Sequence, residues 1–360
     1  MIFSNPNLHF QLLDWLPYSG DSVLLSGGRQ SYTGYLSSAV LYPEGCSVPD
    51  LDGVLQHHTT FLTQEPTPRI AACGGSSNSY DVLKECWVLQ GGAWRSGLIE
   101  DLPKGRKRSA SARLEDGVFL MGGVGDDRGS VFLRAGSSSW QQGPDLPSVM
   151  HWGPCAAPIS AHSFLIVYAT DVYEFDSSVA GPTSQDGWQA KETWPQLQEH
   201  RKNWPGCGVV NGKFVIAGGL GDDDHFKARK TTEIIDLRSK TIEFAGEMSK
   251  TRMEFHLLPI NGVLFALAGN GYVPENNAHT YIMEVEEFVE ESRTWKPATS
   301  LPSGRNNHGG VALNKELVCG PGICNLQPDL KFVKILHDRI FGPKLLHTKK
   351  LVNRDYFCQR

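Results

Sequence analysis

No apolar run in the chain approaches the roughly 18 residues needed to cross a bilayer, which excludes a helical span within these 360 residues. Basic charge is not in excess: the formal net charge is −5, which argues against a nucleic-acid-binding surface over the whole protein. There is no CxxC pair and no His/Cys cluster, so nothing reads as a zinc site. The sequence also lacks a GxSxG elbow, a phosphate loop, an HExxH helix and a dinucleotide fingerprint in a supporting context, which removes the common catalytic and cofactor classes. No NxS/T sequon occurs, and MIFSNPNLHFQLLDW has neither a basic start nor a small-residue cleavage site. As it stands the chain reads as cytoplasmic, and as secreted if a longer N-terminus precedes Met1. Sustained 3.6-residue periodicity is missing as well, so the body is not helical.

What the sequence has is a period. LLSGG ends at Gly27-Gly28, AACGG at Gly74-Gly75, LMGG at Gly122-Gly123 and VIAGG at Gly218-Gly219, the first glycines 47, 48 and 96 residues apart. The longest interval is two periods, and SFLIVYAT at Ser163 to Thr170 fills the gap without glycines. LFALAGN keeps Gly269, with Asn270 read as the replacement for its second glycine, and LVCG at Leu317 to Gly320 falls one period further. A repeat of this length decides the architecture before any local feature does. From Val54 each unit reads as four short strands divided by turns: HHTTFL, RIAACGG, ECWVLQ, then a strand around Trp94 closed by DLP. That fourth strand carries Trp94, Trp140, Trp188 and Trp295, with Phe244 in the fifth unit, and a flat residue at one fixed place predicts packing between neighbouring sheets.

The glycine-ended strand, the downstream tryptophan and the spacing resemble kelch repeats, over about residues 21 to 320. The resemblance implies an all-β, kelch-type β-propeller with one four-stranded blade per repeat. Six blades are expected, the ring closing by pairing of the N- and C-terminal strands, which hides edges an open array would expose. The alternative makes Val311 to Leu346 a seventh. Residues 1–20 form an N-terminal extension and 321–360 a basic tail with eight Lys/Arg against three Asp/Glu from Asp329 onward. No BTB or BACK segment occurs in the chain. The paired glycines read as architectural, since a strand end passing close to its neighbour, or one at positive φ, favours a residue without a side chain.

The turn before each first strand resembles LPxxRxxH, which puts Arg106, Arg201, Arg252 and Arg305 at equivalent places, with Leu55 and Met150 in the other two units. Rotational repetition then sets four arginines on one ring, expected to face an end of the central channel. In substrate-adaptor kelch domains arginines at this position help form a basin for acidic peptides, because a guanidinium fork suits carboxylates. The resemblance therefore marks these arginines and His308 as partner-binding candidates. The competing reading is that each arginine pins its own turn.

Acidic loops GDD at Gly125 to Asp127 and GDDD at Gly221 to Asp224 should stand on the same rim, available to the arginines. Adjacent aspartates lack the alternate spacing of a calcium loop, and no metal or cofactor is expected. Cys73 and Cys86 should lie on adjacent strands of one blade, where they bridge in an oxidising compartment and otherwise fill space as thiols. Function thus reads as a monomeric, non-catalytic scaffold for a protein or peptide partner. The alternative is a sugar-processing enzyme resembling the kelch-type sialic acid epimerases, with Glu254 beside Arg252.

Overall fold

A computed structural model describes residues 22–313 except 32–33, 43–46, 54, 65–67, 78–80, 222–227 and 274–277, with backbone alone at Ser47, Val273, 317–320 and 323–326. The described chain is an all-β propeller of six antiparallel blades. From the axis outward, blade I pairs Gly309–Ala312, Val23–Ser26, Ala39–Tyr42 and Ser47–Val48. Blade II pairs Thr59–Leu62, Ile70–Cys73, Cys86–Gln90 and Ala93–Ser96; blade III pairs Ala110–Leu114, Gly117–Met121, Ser130–Arg134 and Trp140–Gln142. Blade IV has Cys155–Pro158, Ser163–Tyr168 and Asp171–Asp176, with Trp188 bridging Phe175 at the fourth position. Blade V runs Gly206–Val210, Lys213–Ala217, Thr232–Asp236 and Ile242–Ala245, and blade VI runs His256–Ile260, Val263–Leu267, Glu286–Val289 and Thr294–Pro297.

Val23–Ser26 pairs with Gly309–Ala312 from the far end of the sequence, so blade I is built from both ends of the propeller. Two features were not expected. Blade VI carries an additional hairpin, Asn270–Val273 with Ala278–Tyr281, and a second hairpin joins Leu317–Gly320 to Ile323–Leu326 across the expected boundary between propeller and tail.

The second strand of each blade reads as an unbroken apolar run because its two faces serve two different cores. In blade III, Val118 and Leu120 pack with blade II, while Phe119 and Met121 pack with blade IV. Alternation of side chains across a strand makes this division automatic. Six such clusters occupy the seams between successive blades, including one between blades VI and I.

The paired glycines join one blade to the next. In each pair the second residue's N–H donates to the carbonyl of the residue at the arginine position of the following blade: Gly28 to Leu55, Gly75 to Arg106, Gly123 to Met150, Gly219 to Arg252, Gly269 to Arg305, at 2.7–2.9 Å. The backbone therefore turns left-handed at the first residue, and a Cβ on Gly74 would stand 2.3 Å from the Arg106 carbonyl oxygen. The register in blade VI needs correcting: φ of 60° at Ala268 and 101° at Gly269 makes Ala268-Gly269 the pair, not Gly269-Asn270. Ala169, at φ 59°, holds the first position in blade IV.

Three of the tryptophans cross the seams as expected. Trp94 and Trp140 donate their indole N–H to the Pro49 and Glu100 carbonyls of the preceding blade, and Trp295 donates to Thr232 Oγ1, whereas Trp188 meets Phe164 and Phe175 of its own blade at 5.9 and 5.2 Å. Phe244 does not share this role. It is 47% exposed, its side chain standing away from the seam.

Candidate functional site at the channel mouth

The four repeat arginines occupy equivalent places, but none of them lines the central channel. Each is 0–2% exposed and folds back into its own blade. Arg106 donates to the Leu120 and Gly129 carbonyls and to Asp126 Oδ2 at 2.8 Å. Arg201 donates to the Gly218 and Thr231 carbonyls, to Glu199 at 2.8 Å and to the fully buried Glu233 at 3.2 Å. Arg252 reaches Ala268 O at 2.6 Å and Glu286 at 3.0 Å. Arg305 has only carbonyls, those of Leu25, Gly27 and Ser38, and burial lowers its pKa to about 10. The expectation of guanidinium groups facing the channel is thus corrected by hydrogen bonding: strand-end carbonyls at the glycine turn and at the start of the third strand need donors, and the arginine fork supplies them.

The residues that do face the mouth lie two or three positions after the arginine place. His57, Arg108, Gly153, Trp204, Glu254 and Asn307, one from each blade, all have φ between 52° and 64° and all line the channel. The left-handed turn lets the backbone of one ring residue meet the next: His57 N donates to Asn307 O at 2.7 Å, Arg108 N to His57 O at 2.9 Å and Trp204 N to Trp152 O at 3.3 Å. Glycine is the cheapest residue for such a conformation, and a side chain there costs about 1–2 kcal/mol. Only blade IV uses glycine.

Side chains join the ring into a belt. Asn306 Nδ2 donates to Glu254 at 2.5 Å. Asn307, its amide oriented so that the nitrogen donates, reaches Glu254 Oε1 at 2.8 Å and His57 Nδ1 at 2.9 Å. Arg108 Nε donates to His57 Nδ1 at 3.3 Å, and its flat faces lie 4.7 and 5.0 Å from the rings of Trp152 and Trp204. Burial raises the Glu254 carboxyl above its usual range against the pull of Arg108, and burial followed by Arg108 holds the His57 imidazole neutral. One half of the mouth is aromatic and cationic, the other a hydrogen-bonded carboxyl, amide and imidazole.

Beneath the belt the channel encloses about 590 Å³. His308, named from the sequence, lies here at 4% exposure with neither ring nitrogen partnered. His256 stands 4.8 Å from it, and His58 bonds Ser26 at 2.9 Å. All three are pushed toward the neutral form by burial, His58 to about 3.

Of the acidic loops, Asp126 pairs with Arg106, and Asp127 meets His151 at 3.3 Å; Asp222 to Asp224 lie outside the described residues. Glu254 makes no ion pair with Arg252, which spends itself on Glu286, so the pairing expected of an epimerase-like site is absent among the described residues. Cys73 and Cys86 are joined directly across strands, Cα–Cα 4.2 Å. A second disulfide, Cys155–Cys207, joins blades IV and V, and no sequence spacing announced it. The belt is hidden in the sequence because its side chains differ in every blade. Its signal is positional, two or three residues past each arginine place.

These features define a class: a six-bladed propeller with a polar and aromatic belt around one end of its channel. No family profile matches the chain. Over 151 residues it is 26% identical to alpha-scruin of Limulus polyphemus, a kelch-repeat protein. The match takes in 41% of this chain and spans only 15% of alpha-scruin. No helix among the described residues is long and apolar enough to cross a membrane.

Proposed function

We propose that the chain is a kelch-repeat scaffold that binds a protein partner at the channel-mouth rim. The kelch-like propeller points to an interaction module rather than an enzyme. The observation that carries the finer reading is the belt: five of its six left-handed positions hold residues other than glycine, among them the bulky or charged Arg108, Trp204 and Glu254, where glycine would be favoured. Backbone strain retained at converging polar and aromatic groups marks a place where side-chain chemistry is used. Trp152 and Val149, at 37% and 49% exposure, extend the rim outward as an apolar shelf. An acidic peptide is the ligand this mouth favours, because Arg108 has a neutral imidazole as acceptor, which a carboxylate replaces with a stronger charge-assisted bond.

The four buried arginines then act indirectly, fixing the turns from which the belt projects. A photo-crosslinking residue at Trp152 should yield a discrete adduct in lysate, while the same residue at Phe244 on the outer edge should not. Equal adducts at both positions, or none at Trp152, would defeat the reading. A sugar-processing role is favoured only by the buried Glu254 in the channel wall, whose carboxyl burial pushes above its usual range. Proton NMR of free sialic acids incubated with the protein separates the two, since anomeric or epimeric exchange above the uncatalysed rate is expected only of the enzyme.

A further inference from the structure

The two disulfides among the described residues differ in setting. Cys73 and Cys86 are 1% and 0% exposed, sealed between hydrogen-bonded strands of blade II. Cys155 and Cys207 are 7% and 8% exposed, and both line the central channel. They sit on the innermost strands of blades IV and V, which do not hydrogen-bond to each other, with Cα–Cα 5.9 Å and 52 residues between them. The bond is therefore a covalent link across a seam held otherwise by side-chain packing and by a few backbone hydrogen bonds, among them Arg201 N to Ala169 O and Trp204 N to Trp152 O.

Its position ties it to the mouth. Cys155 follows Gly153 by two residues and Cys207 follows Trp204 by three. Gly153 has no room for a Cβ, which would lie 2.4 Å from Trp204 Cδ1, and Trp204 N donates to Trp152 O directly above. The seam that the disulfide fastens is the seam on which both tryptophans flank Arg108.

We propose that Cys155–Cys207 is a thiol-exchange site, opened and closed by a small thiol of the glutathione class that enters through the channel. A small thiolate attacks one cysteine sulfur, the protein S–S bond breaks, a mixed disulfide forms and the other cysteine leaves as a thiolate. A second small thiolate attacks the small-molecule sulfur of the mixed disulfide, releasing a small-molecule disulfide and the second cysteine thiolate. Two thiols are oxidised as one protein disulfide is reduced, and excess small-molecule disulfide reverses the sequence. Reduction frees blades IV and V to part at the mouth and loosens the tryptophan clamp on Arg108. This inference does not depend on the identity, or the existence, of a partner.

The test treats the full folded chain with graded glutathione buffers, quenches by alkylation and maps each cysteine by peptide mass. Labelling of Cys155 and Cys207 is expected at about tenfold less reductant than Cys73 and Cys86, with far-UV circular dichroism unchanged and tryptophan fluorescence shifted in parallel. A thiol carried on a long polymer, too wide for the channel, should leave the pair intact. Simultaneous reduction of both pairs, labelling without reductant, or equal efficacy of the polymer thiol would overturn the proposal. The variant Cys155→Ser/Cys207→Ser should show the fluorescence of the reduced protein and no fluorescence response at glutathione levels that spare Cys73–Cys86. Because the cysteine mapping uses the unmodified chain, the proposal stands or falls on it even where that variant does not fold.

Discussion

At the scale of single residues, the repeat arginines divide by what they would leave behind. Removing Arg201 leaves Glu233, an acid with no exposed surface, without its cation and with only the Gln198 and Glu199 backbone N–H groups as donors, and breaking a buried pair in this way costs up to about 3–5 kcal/mol. Removing Arg305 strands no acid: it takes a donor from the Gly27 carbonyl, while Ser38 O keeps Gly27 N, a loss of about 1–3 kcal/mol. Urea denaturation of Arg201→Met and Arg305→Met should therefore show the first clearly less stable, and equal midpoints would contradict the assignment of the acid partner. The channel histidines set a pH dependence of definite sign. An unfolded histidine protonates near pH 6.5; His58 in the fold does so only near about 3, because burial penalises its charge. Between those values the unfolded state holds a proton that the folded state lacks. Stability then falls on acidification by up to about 1.4 kcal/mol per pH unit for each such histidine. Glu254, its carboxyl raised by burial, runs the opposite way, so the histidine part is isolated by variant. Thermal melts at pH 7.5 and about 5.5 should show a smaller acid loss for His58→Gln than for the unmodified chain; identical losses would exclude His58 as a source.

The strand-and-turn element shows what a sequence can carry. The blade pattern was legible because it repeats: a glycine pair, a tryptophan and an arginine recur wherever backbone geometry recurs. The placement of Arg201 on a ring was likewise legible, yet its direction was not, since nothing in LQEHRKNW says whether the guanidinium turns to the channel or to Gly218 O and Glu233. The belt was illegible for the opposite reason. His57, Arg108, Trp204, Glu254 and Asn307 share a backbone conformation and no side-chain chemistry, so they leave no repeat to find. Phe244 misled because it fills the tryptophan's place in sequence while its strand presents it to solvent. The glycine-pair account has its own test at Ala169, which holds φ 59° where other blades place glycine. Ala169→Gly should raise stability by about 1 kcal/mol. Gly74→Ala, with its Cβ 2.3 Å from a backbone oxygen, should lower it by more. Equilibrium unfolding of the two variants measures both, and destabilisation by Ala169→Gly would contradict the account.

For the whole molecule, the division of labour is between seams and mouth. Six apolar seams and the arginine turns hold the blades, and they use residues chosen for packing and for donor geometry. The mouth uses residues that the backbone disfavours. Stability and binding should therefore separate on substitution, as expected where a site retains strain for function. Glycine at Arg108 and Trp204 removes the clamp while relieving a left-handed residue at each position, and that ease offsets part of the lost cation–π contact and of Trp204's packing on Leu220, Ala228 and Met253. The decisive measurement is a titration of Arg108→Gly/Trp204→Gly, beside the unmodified chain, against the partner identified by the Trp152 crosslink. The expected result is a variant that still unfolds cooperatively and a loss of affinity of at least about a hundredfold, the worth of two anchor side chains. Unchanged affinity in a variant that remains folded would contradict it.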